Sequence, residues 1–150
     1  MSKKLFLLTS FVLVLALACT NVSFSATIDS KIANGNDDVE EWISQNGKMD
    51  ITSSDLELAF ESRNKVNPQV IGLRFVNIAI PKGATITSAS IQFKVDETKD
   101  GTLPVNLIID GELTANAAAF TADAFSVTSR VRTTASVQWS VANWTTVGDR

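Results

Sequence analysis

The sequence contains no histidine and no tyrosine, and its one cysteine, Cys19, lies near the N-terminus. Without histidine there is no Ser-His-Asp triad and no imidazole general base. Zinc and copper sites usually need His or Cys ligands. Because Cys19 is the one such residue in the sequence, a zinc or copper site is not expected. Carboxylate chemistry remains, either as a glycosidase pair or as oxygen-ligand calcium binding. Because the chain has 16 acidic residues, some carboxylate pair is inevitable and a glycosidase pair is not a specific signal.

The N-terminal segment has the pattern of a secretory signal peptide. Lys3 and Lys4 precede an apolar run over residues 5–18, which is too short for a membrane span and suits a signal sequence. Ser23-Phe24-Ser25 supplies small residues for cleavage after Ser25. The sequence therefore predicts a signal peptide over residues 1–25 and a secreted or cell-surface protein. Acylation of Cys19, as in a lipoprotein, is the alternative.

Cleavage after Ser25 would leave one domain over residues 26–150, long enough to bury a core. This part of the chain has no cysteine, so it is not held by disulfides although it is predicted to be exported. Removing Lys3 and Lys4 leaves 11 basic and 16 acidic residues, a net charge of −5. That balance argues against nucleic acid or an anionic membrane as the partner.

Several stretches alternate apolar and polar residues with the period of a half-buried β-strand. The clearest is 89–95, and 103–109 and 56–60 follow the same pattern. In the longer stretch 69–80 the apolar residues change face partway, which predicts a bulge near Val76-Asn77 or a passage between two sheets. Weaker strand candidates are residues 28–32, 40–43, 125–131 and 137–141.

Turn-forming residues separate these stretches. Pro81-Lys82-Gly83 has proline and glycine where a turn needs them, and Asp100-Gly101 predicts a hairpin connection. Asp110-Gly111, Asn46-Gly47 and Asn34-Gly35-Asn36 mark further turns or strand ends. Many short strands with regular turn signals predict an all-β protein, a β-sandwich or jelly roll.

Acidic residues gather after the Asn34-Gly35-Asn36 turn. Calcium takes six to eight oxygen ligands, which clustered carboxylates and loop carbonyls can supply. The residues predicted to hold calcium are Asp37, Asp38, Glu40 and Asp55. The alternative is a solvated acidic edge that discourages aggregation between strands.

Three tryptophans are candidates for sugar stacking, because a flat indole can cover the apolar face of a pyranose ring. Trp139 shares its strand face with apolar neighbours, so it is expected in the core. Trp144 lies in a loop-like setting and Trp42 adjoins the acidic residues. Trp42 and Trp144 are therefore the predicted ligand-binding tryptophans.

The central part of the chain resembles the DNRLRE-type modules of secreted bacterial and archaeal proteins. The resemblance is carried by Leu73-Arg74-Phe75, by Ile80-Pro81-Lys82-Gly83-Ala84 and by Ile86-Thr87-Ser88-Ala89-Ser90-Ile91. It implies an extracellular jelly roll, similar to carbohydrate-binding modules. Arg74 matches the arginine of the motif, where its guanidinium could bind a ligand carboxylate. The alternative for Arg74 is an ion pair with a neighbouring strand.

These features predict an exported, non-catalytic module that binds polysaccharide or a cell-surface glycan. One alternative is a structural or adhesive building block without a small ligand, and another is the N-terminal fragment of a secreted hydrolase. Large apolar residues close to Arg150 predict that the module continues beyond this residue. A sheet edge left open in this way is expected to favour self-association.

Overall fold

The computed structural model describes residues 25–60, 67–98 and 105–150. The described ranges exclude residues 1–24, which contain Cys19 and almost all of the predicted signal peptide. They also exclude the predicted Asp100-Gly101 turn. The only helical element in the described ranges is a single 3-10 turn, Ile43–Gln45. No helix among the described residues is long and apolar enough to cross a membrane.

Five strands form two antiparallel sheets in the described part of the chain. The strands are β1 (Asp38–Trp42), β2 (Lys48–Asp50), β3 (Gln69–Leu73), β4 (Val105–Glu112) and β5 (Arg132–Val141). One sheet has the order β2-β1-β3, and the other pairs β4 with β5. The predicted all-β class is confirmed, while the sandwich or jelly-roll arrangement stays a prediction.

The 3-10 turn Ile43–Gln45 and a turn at Asn46-Gly47 join β1 to β2, where the sequence predicts a loop. Both residues have a left-handed backbone, with φ of 57° and 69°. A side chain at position 47 would also clash with a neighbour, since a Cβ on Gly47 would lie 2.3 Å from the ring of Phe125. The turn places Trp42 opposite Lys48 in the strand pairing.

β3 is shorter than the predicted strand over 69–80. It pairs with β1 from Gln69 to Leu73, and the Arg74 N–H then donates to the Asp37 carbonyl at 2.7 Å. Asn77 has a φ of 59°, a value that interrupts an extended strand at the place where the apolar residues change face. Residues 74–80 are therefore not a strand, which corrects the prediction beyond Leu73.

Two other predicted strands do not form as strands in the structure. Residues 56–60 make a single bridge, between Phe60 and Pro68. Residues 89–95 are not assigned to any sheet, although Val95 exchanges backbone hydrogen bonds with Gly148 and Asp149. The weaker candidates 28–32 and 125–131 are also irregular or turn segments. Alternation by itself is thus insufficient, because a strand also needs a hydrogen-bonded partner along its length.

The antiparallel pair of β4 and β5 keeps the predicted alternation. Leu107 lies opposite Trp139 and Ile109 opposite Val137. The Trp139 indole stacks on the Phe93 ring, with centroids 5.5 Å apart and planes 13° apart. β4 continues to Glu112, so Asp110-Gly111 lies within the strand and not at its end as predicted. The pairing with β5 is irregular between residues 110 and 112.

The buried apolar cluster lies against the three-stranded sheet. Its members are Val39, Met49, Phe120 and Val127, with Ile51 and Val70 packed at its margin. Phe120 and Val127 come from the segment 115–130, which crosses the sheet without forming a strand. This segment comes so close to β3 that a Cβ on Gly72 would lie 2.7 Å from the Phe120 ring.

Arg130 connects this crossing segment to the end of β4. Its guanidinium donates to Glu112 at 2.8 Å and to the carbonyls of Ala118 and Ala119 at 2.9 and 3.1 Å. Its Nε donates to the Ser126 carbonyl, and the guanidinium lies 4.2 Å from the centre of the Phe120 ring. The Arg130 side chain thus connects two parts of the crossing segment, one at Ala118-Ala119 and one at Ser126, to the end of β4.

Candidate functional site

Asp37, directly before β1, and Arg74, directly after β3, form an ion pair. The Arg74 Nη1 donates to the Asp37 Oδ1 at 2.5 Å, and the Asp37 side chain is 5% exposed. The Arg74 Nε donates to the Ala117 carbonyl at 2.9 Å. Of the two roles considered for Arg74, the structure shows the ion pair with a neighbouring strand.

Two acidic residues within β1, Glu40 and Glu41, accept hydrogen bonds from backbone N–H groups. Glu40 and Glu41 are buried neighbours on β1, so their side chains point to opposite faces of the sheet. Glu40 accepts a hydrogen bond from the Glu57 N–H at 2.7 Å. Glu41 accepts from the N–H groups of Val127 and Thr128, both at 2.9 Å, and from the Thr128 hydroxyl. Nothing in the sequence near β1 indicates this role, because the donors of Glu41 lie more than 80 positions away.

Asp38 and Asp55 are the other two predicted calcium ligands. Burial raises the pKa of the Asp38 carboxyl, the negative charge of Asp37 adds to this, and the Asp38 backbone N–H opposes it. Asp55 accepts a hydrogen bond from the Ser53 hydroxyl at 3.3 Å. Among the described residues, no group of three acidic or sulfur- or imidazole-bearing side chains is placed to hold a metal ion. Calcium binding stays a prediction, which thermal melts in calcium and in chelator would test.

The two predicted sugar-stacking tryptophans lie in different parts of the fold. Trp42 ends β1, is half-buried, and has the Lys48 ammonium 4.5 Å from its ring centre. Its buried Nε1 finds no acceptor among the described residues. Trp144 is half-buried in the segment that follows β5. The structure therefore does not bring Trp42 and Trp144 onto one strand or one sheet.

An open cleft of about 600 Å³ lies beside the Asp37–Arg74 ion pair. Its lining residues are Ala33, Asn34, Gly35, Asn36, Asp37, Arg74 and Ala119. The turn that forms its rim is held by the Asp37 N–H, which donates to the Asn34 carbonyl at 2.9 Å. The Phe120 N–H donates to the Asn36 carbonyl, which fixes the rim to the buried cluster.

Polar groups of this cleft remain available to a ligand. Arg74 uses its Nε and Nη1 within the protein, while its Nη2 makes no hydrogen bond to any described residue. Asn34 and Asn36 are exposed, and neither side-chain amide is bonded within the described ranges. The cleft therefore offers amide donors and acceptors and one edge of a guanidinium whose charge is neutralised by Asp37. The sequence indicated the turn and Arg74 separately, but not that they share a cleft.

Comparisons with protein-family models, with curated proteins and with solved structures found no match. The resemblance to DNRLRE-type modules therefore stays a hypothesis from the sequence. The geometry of the cleft and the chemistry of its side chains carry the functional argument.

Proposed function

We propose that this chain is an exported, non-catalytic β-sandwich module that binds neutral polysaccharide in the cleft beside Arg74. The observation that carries the proposal is the cleft itself, which is open, polar and lined by the free amides of Asn34 and Asn36. A long glycan needs an open site, because its chain has to continue on both sides of the sugar that is bound.

The charge balance of the cleft favours neutral over acidic sugars. Asp37 already neutralises the Arg74 guanidinium. The chain without its predicted signal peptide carries a net charge of −5, which repels polyanions at long range. The unbonded Nη2 and the two amides instead match the paired donors and acceptors of sugar hydroxyls. Arg74 thus acts as a neutralised donor and not as a carboxylate receptor.

The proposed non-catalytic role is supported by the residue content of the predicted mature chain, which has neither histidine nor cysteine. The Asp37 and Glu41 carboxylates are also engaged in hydrogen bonds that hold the fold. A carboxylate used in this way is a poor proton donor or nucleophile for glycoside cleavage, which needs two groups directed at the substrate.

Isothermal titration of the purified protein with a neutral and an acidic soluble polysaccharide tests the proposal. Asn36→Ala and Asn34→Ala are each expected to weaken binding of the neutral polymer by about fivefold to tenfold, the worth of one hydrogen bond. Asn143→Ala, an exposed asparagine after β5, is the matched control and should bind like the wild type.

Trp42→Ala and Trp144→Ala separate this cleft from a stacking site. If binding is lost in either tryptophan variant and retained in both asparagine variants, the ligand lies on the tryptophan and the cleft assignment is wrong. Preference for the acidic polymer would contradict the charge argument. Absence of any binding would favour the structural or adhesive role.

A further inference from the structure

We propose that the outer edge of β5 pairs with β5 of a second copy of this chain, forming a four-stranded sheet across a two-fold axis. β4 is the one strand in the described part of the chain that pairs with β5, and it covers a single edge. A two-stranded antiparallel ribbon is marginally stable in water and gains stability from further strands. The inference is independent of the glycan cleft, which lies by the other sheet.

From its second residue onward, the sequence of β5 has none of the charges or prolines that protect an exposed strand edge. Proteins usually place lysine, proline or inward-pointing charges on such edges to prevent pairing. β5 spans ten residues and carries one charge, Arg132 at its first position. The remaining residues, 133–141, are uncharged and contain no proline. Seven of the ten β5 residues are exposed, which leaves this edge accessible to another strand.

The apolar residues of the ribbon share one face. Cross-strand partners point to the same side of a sheet, and the partners here are Val105 with Val141, Leu107 with Trp139, and Ile109 with Val137. Val137 is 63% exposed, although its neighbours on this face are half-buried. A partner strand along β5 would cover Val137 and extend the apolar face into the second copy.

A two-fold axis through Val137 places matching side-chain faces opposite each other and keeps the charged residues of the two copies far apart. Opposite residues must lie on the same face, so an antiparallel self-pairing is centred on a residue, and Val137 then faces Val137 of the partner copy. Arg132 lies five positions from this centre in each copy, which separates the two guanidinium groups by roughly 33 Å along the sheet. That distance exceeds the screening length in physiological salt, so like charges do not oppose the pairing.

Disulfide trapping tests this geometry in the full chain carrying Cys19→Ser, which otherwise has no cysteine. Opposite residues in an antiparallel pair have Cα atoms about 4.5 to 5.5 Å apart, within the range that a disulfide spans. Val137→Cys is therefore expected to form a covalent dimer rapidly under mild oxidation. Ile108→Cys is the matched control, because Ile108 is 68% exposed but lies on β4 and on the opposite face of the ribbon.

Sedimentation velocity provides a readout without an introduced cysteine. The wild-type chain is expected to be dimeric at high concentration, Val137→Lys to shift it to monomer, and Ile108→Lys to leave the dimer intact. A wild-type chain that stays monomeric overturns the proposal. Equal disulfide formation at positions 137 and 108 also overturns it, as do open-ended polymers that do not cross-link through position 137.

Discussion

Glu41 and Thr128 lie 87 positions apart in the sequence, and the buried Glu41 carboxylate accepts hydrogen bonds from both the N–H and the hydroxyl of Thr128. The same carboxylate accepts from the Val127 N–H. This contact fastens the crossing segment 115–130 to β1, where Phe120 and Val127 complete the buried cluster.

Replacing Glu41 by glutamine should destabilise the fold. Glutamine keeps one oxygen but presents an NH₂ donor where the carboxylate accepts hydrogen bonds, so a buried N–H or hydroxyl loses its partner. We expect the free energy of unfolding to fall by about 2 to 3 kcal/mol, as measured by urea denaturation. Asp96→Asn, at an exposed position, is the control and should change it by less than about 0.5 kcal/mol. Equal effects of the two substitutions would show that the hydrogen bonds from Val127 and Thr128 to Glu41 do not stabilise the fold.

Gly72 should not tolerate alanine. The added Cβ would lie 2.7 Å from the Phe120 ring and 2.9 Å from a Val127 methyl group, so the crossing segment would have to move. Overpacking of this kind costs about 1 to 3 kcal/mol. Gly111→Ala is the control, because its Cβ would meet Thr133 at an ordinary 3.5 Å. A Gly72→Ala variant that melts like Gly111→Ala would show that the segment adapts without loss.

Arg130 should be irreplaceable by lysine. One ammonium cannot reach the Glu112 carboxylate and the carbonyls of Ser126, Ala118 and Ala119 together. Arg130→Lys is expected to lower the free energy of unfolding by about 2 kcal/mol, measured by denaturation. Arg132→Lys, which alters an exposed pair with Asp110, should cost less than about 1 kcal/mol. The reverse order would contradict the assigned role of Arg130.

Asp38 should make stability depend on pH. Burial is the main cause that raises its pKa in the folded protein, so the ionised form destabilises the fold at neutral pH. This penalty disappears as the pH falls through the folded-state pKa. We therefore expect Asp38→Asn to raise the melting temperature at neutral pH and to match the wild type in acid.

Asp50 is the matched control for Asp38, with the opposite sign. The Thr52 N–H, which donates to its carboxylate at 2.8 Å, is the largest cause that lowers the pKa of Asp50. The stability it contributes is present above the unfolded-state pKa and is lost as the pH falls through the folded-state pKa. Asp50→Asn should therefore lower the melting temperature at neutral pH, and the loss should fade in acid. A higher melting temperature for Asp50→Asn at neutral pH would contradict the assignment for Asp50, and a lower one for Asp38→Asn would contradict the assignment for Asp38.

Local patterns in the sequence predicted part of this fold. The alternation around Leu107 and around Trp139 predicted two strands, which the structure pairs, and Asn46-Gly47 predicted a loop, which the structure forms as a turn. Both features depend on neighbouring residues: the side-chain period of two and the low cost of left-handed backbone at Asn and Gly. The strand over 89–95 was predicted by the same rule and was wrong, since alternation supplies two faces but no backbone partner.

The candidate site also combines features that the local sequence predicts with contacts that only the fold creates. The sequence by itself determined that the chain has an acidic group after Asn34-Gly35-Asn36 and that the part following the predicted signal has no histidine or cysteine. Only the tertiary structure decided that Asp37 neutralises Arg74 and that Glu41 holds the segment around Thr128. The physical reason is that a carboxylate binds whichever donors the fold brings to it, and these donors lie 37 and 87 positions further along the chain.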